Sequence, residues 1–259
     1  MKESLLWELS KEGFQKSFVF GTMHVKSQRA FHRLDLLGTI LKHVEVFAAE
    51  YDLDQLRSTE DGSFMRIPEE QTISGFLGKQ KYKRIQNAIH KAFGVDIAPL
   101  DRIYPLLIVN LIGESTLSSD FSLPLDVYLW EMSKGLSLRL EGIETFESQQ
   151  RIFQKIKLKD QVKMLKDLSR NTSKYRKSIN RMASLYEDEQ IRLLYKQGRK
   201  SLGKYKNLLL YSRNHIMAKR FEQIAKEDQL LFAIGAGHLA GKHGVLKLLK
   251  NKDWKIKPI

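Results

Sequence analysis

The chain has 259 residues and carries 44 Lys+Arg against 30 Asp+Glu, a formal net charge of +14. With 42% apolar and 10% aromatic residues it holds enough apolar mass to fold, which excludes a disordered chain. It has no cysteine, which excludes disulfides, thiolate zinc sites, cysteine nucleophiles and iron–sulfur clusters, and leaves His, Asp and Glu as the strong metal ligands. No apolar run approaches the roughly 18–20 residues of a membrane helix, and Lys2, Glu3, Glu8 and Lys11 break up any signal-peptide core. As written the chain therefore reads as soluble and cytoplasmic, with secretion or membrane association requiring a leader or anchor outside it.

In chain order, Ser4 to Leu9 and Ser17 to Phe20 are apolar runs flanking Lys11-Glu12-Gly13, the pattern of a hairpin. The second run ends in Gly21-Thr22-Met23-His24, so a histidine emerges just past a strand. Phe31, Leu34, Leu37, Ile40 and Leu41 recur at helical spacing, and Val44 to Ala49 is a short strand closing on Glu50. Helices are expected over Tyr82 to Phe93, Arg102 to Leu111 and Leu125 to Ser133. Leu136, Leu138 and Leu140 then alternate as a strand that delivers Glu144. Glu147 to about Gln197 is long, charged and helical, the pattern of two or three helices forming an arm. Ser212 is placed to cap a helix over Arg213 to Lys226, Leu230 to Ile234 is a strand, and Gly235-Ala236-Gly237-His238 follows it. Gly241 to Lys250 reads as a helix and Trp254 to Ile259 as a last strand.

One G-x-x-H tetrapeptide says little, since a histidine beyond a strand is usually a loop or core residue. Two of them, each directly after an apolar strand, carry more weight, because ligands in α/β sheets gather where strands end and loops converge. Glu50 and Glu144 occupy the same topological position. Two imidazoles and two carboxylates at strand ends make a divalent-metal site or an acid/base centre. The bland alternative is that each glutamate caps a helix or pairs with an arginine.

The residues that carry these features resemble those of a known family. Leu5-Leu6-Trp7-Glu8-Leu9 with Ser17 to Val25, Leu125-Asp126-Val127-Tyr128-Leu129, Gly142 to Gln149, Tyr211 to Ala218 and Phe232 to Gly241 are similar, in order and nearly end to end, to the blocks of the TraB/PrgY/GumN family, which includes the Tiki proteins. The resemblance implies a single α/β domain over residues 1–259; the residue pattern adds a mixed central sheet flanked by helices, helical insertions at about 52–135 and 147–210, and a long basic helical arm, whose stretch Lys155 to Lys206 carries little of the resemblance. The resemblance also implies metal-dependent proteolysis with Mn²⁺ or Co²⁺ the favoured ions and Zn²⁺ compatible. On that reading His24, His238 and one carboxylate hold the ion and the other carboxylate is the base, with Glu144 taken as ligand and Glu50 as base. Arg213 stabilises an oxyanion or fixes a glutamate, and Asn214 contributes a hydrogen bond. The expected partner is a peptide or protein substrate. The alternative is a protein that binds and sequesters a peptide or signalling molecule without cutting it.

His32, His43, His90, His215 and His243 lie among Lys and Arg in helical or loop contexts and read as surface groups. The glycines from Gly235 to Gly244 lack a following G-K-[ST], which argues against a nucleotide cradle. Between Arg151 and Lys206 lie seventeen Lys/Arg and five Asp/Glu, so twelve of the fourteen excess charges sit there. That density suits an anionic surface. It is a weaker sign of nucleic acid, because no nucleic-acid-binding motif accompanies it.

Overall fold

The computed structural model describes residues 3–58, 65–68 and 71–259. By contacts they form two compact units, one of Met1–Arg57, Ser119–Phe146 and Met182–Ile259, the other of Ser58–Ser118 and Glu147–Arg181. The expected insertion at about 52–135 thus runs in part through residues 59–64 and 69–70, which lie outside the described ones.

The first unit contains a six-stranded sheet. Its strands are β1 (Leu6–Ser10), β2 (Ser17–Thr22), β3 (Val46–Tyr51), β4 (Arg139–Glu144), β5 (Leu230–Gly235) and β6 (Lys255–Pro258), in the order β4-β3-β5-β2-β1-β6. The first four in that order, β4, β3, β5 and β2, run parallel, while β1 lies antiparallel to both β2 and β6. The mixed sheet is therefore as expected, and so is the hairpin, with Leu6 opposite Phe20 and Leu9 opposite Ser17. β3 and β5 read as continuous apolar runs because both of their faces are covered: Val46, Phe47, Ala48, Leu230, Leu231 and Phe232 are wholly buried. Helices α1 (Leu34–Leu41), α6 (Leu125–Gly135), α10 (Ile191–Leu202), α11 (Ser212–Ala225) and α12 (Val245–Lys250) belong to this unit, and α2 (Leu53–Ser58) follows β3. α11 turns Met217, Ala218, Phe221, Ile224 and Ala225 inward at three- and four-residue spacing, and Phe221 meets Phe232 edge-on at 5.6 Å.

Two boundaries differ from expectation for local reasons. Ser212 caps nothing, because a five-residue π-helical segment, Asn207–Tyr211, leads straight into α11 and Tyr211 is already helical at φ −68° and ψ −48°. α12 begins at Val245 rather than Gly241, whose φ of +87° no regular helix accepts.

The second unit is built from α3 (Ile73–Leu77), α4 (Lys79–Phe93), α5 (Pro105–Ser115) and α8 (Leu158–Arg170) around a core that includes Ile73, Tyr82, Ile85, Ile89, Ile108 and Leu165. Thr72 Oγ1 accepts from the Gly75 N–H at 2.9 Å to cap α3, and Gly94, at φ +71°, ends α4. α5 starts at Pro105, three residues after the expected Arg102, since proline is suited to a first helical position. Gln161, wholly buried, donates to the carbonyls of Phe153 and Ile156 and accepts from the Leu106 N–H, so its amide tolerates burial. The stretch expected as an arm of two or three helices is four: α7 (Phe146–Lys155), α8, α9 (Thr172–Glu187) and α10. α8 hides Val162, Leu165 and Leu168 in the helical core, so its many cations occupy only the outer face. Among the described residues no helix is long and apolar enough to cross a membrane.

Candidate functional site

Parallel pairing delivers four strand ends to one edge of the sheet. Thr22 of β2 pairs with Gly235 of β5, and Tyr51 of β3 with Glu144 of β4. Glu50 is the penultimate residue of β3 and Glu144 the last of β4, while His24 and His238 follow β2 and β5 by two and three residues. The two motif glycines permit close approach. A Cβ on Gly21 would stand 2.6 Å from Leu239 Cδ1, so the loop of the second motif rests on the backbone of the first, and a Cβ on Gly235 would stand 3.0 Å from Glu50 Oε1.

The centre of the site is Arg213, at the second position of α11. Its Nε donates to both oxygens of Glu144 at 3.0 and 2.9 Å, and Nη2 donates to Glu144 Oε2 and Glu50 Oε2, both at 2.6 Å. Nη1 has poorer partners, the Leu209 carbonyl at 3.4 Å and His238 Nε2 at 3.5 Å. The side chains of Arg213 and Glu144 are 13% and 2% exposed. A buried guanidinium held by two carboxylates with good geometry is strongly destabilised by loss of any member, since the survivors remain desolvated and unpaired. Burial, the largest single influence on Arg213, works against its charge, but Glu50 and Glu144 more than restore it, so it stays a cation. Burial likewise pushes Glu50 up, yet Arg213, His238 and the Gly235 N–H, which donates to Oε1 at 2.7 Å, bring it down to about 2.

His238 lies against this cluster with Nε2 3.8 Å from Glu50 Oε1. Burial, reinforced by Arg213 and opposed by Glu50, lowers it to about 4, so it is neutral at pH 7. Its tautomer follows from its neighbours. Asn214 Nδ2 donates to the His243 carbonyl at 2.6 Å, which turns Asn214 Oδ1 towards His238 Nδ1 at 2.5 Å. Nδ1 therefore carries the hydrogen, and Nε2 presents its lone pair to the Arg213–Glu50 side. Asn214 thus positions His238, a role more specific than the generic hydrogen bond expected of it.

His24 is arranged in parallel. Its Nδ1 lies 2.8 and 2.7 Å from the two oxygens of Asp126, in the first turn of α6. Sequence reasoning assigned Asp126 no role, although it stands in the Leu125-Asp126-Val127-Tyr128-Leu129 block; its partner is 102 residues away. Of the other histidines, His32 pairs with Glu189 at 3.3 Å, His43 Nδ1 donates to the Thr39 carbonyl, and His243 joins the site only through its backbone and by stacking on Tyr211 at 4.2 Å.

The sequence profile of the TraB/PrgY/gumN family matches residues 5–258. The chain belongs to this family. It is similar to a protein of Amphimedon queenslandica described as a metalloprotease TIKI homolog, 24% identical over a 314-residue alignment that covers 98% of this chain and 61% of that protein. The chain therefore spans about three-fifths of the curated relative it matches. No solved structure matches it.

The name of that relative describes a protease that uses a metal ion. The donors here divide on whether they suit one. Both imidazoles have an oxygen acceptor on the Nδ1 side, the outer contact that metal-binding histidines use to aim Nε2. The carboxylates are differently engaged: Glu144, read from the sequence as a ligand, has both oxygens on Arg213, and Glu50 has one on Arg213 and one on the Gly235 N–H. Among the described residues no group of three His, Asp or Glu stands close enough together to hold an ion. The imidazoles fit a divalent ion; the arginine-bound carboxylates, as they stand, do not.

The buried charges set an acid limit on stability. His238, lowered to about 4 from 6.5, and Glu50, lowered to about 2 from 4.5, both bind a proton more readily in the unfolded chain. Stability is thus fully present above pH 6.5 and falls from there to about pH 2, by at most roughly 3 kcal/mol per group. Urea titrations of chelator-treated protein should show this fall. In His238→Gln the decline between pH 6.5 and 4 should flatten, and an unchanged slope would contradict the burial of a neutral imidazole.

Proposed function

We propose that the chain is a divalent-metal-dependent hydrolase acting on peptide bonds, with His24 and His238 holding the ion through Nε2. The observation that carries this is the neutral, tautomer-fixed His238 beside the Glu50–Arg213–Glu144 cluster. A bound ion would supply Lewis acidity and a water whose pKa is lowered towards about 7. Glu50 is the carboxylate that faces His238, and it would accept a proton from water at this position. Arg213 keeps Glu50 ionised, which suits a proton relay better than a proton store. Four of the five N–H groups of Arg213 are directed at carboxylates or the Leu209 carbonyl; the one directed at His238 Nε2 across 3.5 Å is the loosest and can be captured by a substrate carbonyl oxygen as negative charge develops on it. Glu144 anchors Arg213.

The test is elemental analysis of protein purified without chelator or immobilised-metal resin, calorimetric titration with Mn²⁺, Co²⁺ and Zn²⁺, and mass-spectrometric reading of cleavage in a mixed peptide library. His24→Ala and His238→Ala should each weaken ion binding at least tenfold while the chain stays folded. Parent-like binding in both variants would remove the ligand assignment. Peptide binding without cleavage under any ion would favour the sequestering reading.

A further inference from the structure

A cavity of about 560 Å³ lies on the flank of the loop that leaves His238, within the ligand-sized range of roughly 300–1,000 Å³. Its floor is apolar: Leu239, Leu246 and Trp254 line it and are themselves buried. Its rim is cationic, with Lys242, Lys247, Lys250 and Lys255 contributed by the loop before α12, by α12 and by the start of β6. Arg192, also at the rim, is held by Glu3 at 3.4 Å. Among the described residues no Asp or Glu lines the cavity, and none of the four lysines takes part in an ion pair.

We propose that this cavity binds a single-chain amphiphile with an anionic head, an acyl carboxylate or an alkyl phosphate, its chain on the apolar floor and its head among the lysines. Four like charges around one opening repel one another, and an anion seated between them relieves that repulsion. On the side of the loop and α12, backbone groups in and beside the wall are already paired. The Leu246 N–H is bonded to the Leu239 carbonyl, the Gly244 N–H to Gly241, the Asn251 N–H to Lys247 and the Trp254 N–H to Leu249. Trp254 Nε1 donates to Glu222 at 3.2 Å, so even the indole turns only carbon towards the cavity. The N–H groups named here are taken, and although β6, the last strand of the sheet, keeps an outer edge at Lys255 and Ile256 that a peptide could use, an alkyl chain requires no such partner.

The experiment is calorimetry on the full chain at low salt with hexyl, octyl and decyl phosphate below their aggregation concentrations, alongside inorganic phosphate, decanol, and vesicles of phosphatidylcholine with phosphatidylserine. Affinity should rise by about fourfold per added methylene. Inorganic phosphate and decanol should bind at least tenfold more weakly than decyl phosphate. Lys247→Glu with Lys250→Glu should lower decyl phosphate affinity at least tenfold, and the parent's affinity should fall as salt is raised. Lys242→Gln with Lys255→Gln removes charge independently if the first pair of substitutions disturbs folding. Equal affinity for phosphate alone, no dependence on chain length, binding confined to vesicles, or full affinity in both folded double variants would each overturn the proposal.

Discussion

Arg213→Met should cost about 3–5 kcal/mol of folding stability at pH 7, the range for breaking a buried ion pair by removing one partner. Methionine fills similar space without charge, so packing changes little. What is lost is the cation between Glu50 and Glu144, whose nearest oxygens each lie 2.6 Å from Nη2. The pH dependence is the more diagnostic readout. In the parent, Glu50 is depressed to about 2 despite burial, so its contribution is present above about pH 4.5 and lost on acidification. Without Arg213, burial and the neighbouring carboxylate would push Glu50 above its ordinary value. Its protonated form would then favour the fold, and the variant should gain relative stability as pH falls. Arg213→Lys should lie between the two, because an ammonium cannot serve both carboxylates with the same planar fork. Urea denaturation at pH 4, 5.5 and 7 decides it, and a loss below about 1 kcal/mol with a parent-like pH slope would mean the cluster is not buried as described.

Glu50→Gln and Glu144→Gln should separate chemistry from architecture. Glutamine at 50 keeps one carbonyl oxygen, which can accept from the Gly235 N–H or from Arg213 but not from both on separate oxygens as the carboxylate does, and it cannot take a proton. Peptide-cleavage kcat should therefore fall by roughly 10²- to 10⁴-fold with KM and ion affinity little changed. Glutamine at 144 removes the more buried of the two charges opposing Arg213, so its main signature should be lost stability with ion affinity preserved. The reverse outcome, a folded Glu144→Gln chain that no longer binds the ion, would restore Glu144 as the ligand and make Arg213 a group that moves aside. Full activity in both variants would exclude the pair from catalysis.

The strands were legible because their apolar runs are short and bounded, and the two motifs because glycine marks where the chain leaves the sheet. The placement of His24, Glu50, Glu144 and His238 at one edge followed from parallel connections. What could not be read was partner choice across distance. Arg213 meets residues 163 and 69 positions away; the family resemblance marked it as a group that could fix a glutamate, but nothing local says that it binds both. Asp126 sits where an acid is ordinary at the start of a helix, so its tie to His24 left no local signal. The Ser212 cap failed because a serine before an apolar periodic run also fits a helix that has already begun. The helices of the basic stretch were visible from spacing, but their number was not, since short breaks such as Asn171 and Gly203 leave the charge pattern unbroken.

The strand order has a consequence for how the protein is made. β5 lies between β2 and β3, although some 180 residues separate it from β3 in the chain, and β6 closes against β1. On a ribosome adding about 5–20 residues per second, β2 and β3 emerge many seconds before the strand that must join them. Until then Glu50 lacks the Gly235 N–H, and the apolar edges of two strands wait unpaired. A nascent chain stalled before residue 230 should therefore be a client for chaperones. The functional edge of the sheet is assembled in one late step, when the second G-x-x-H motif threads the centre of a sheet whose first half has long been synthesised.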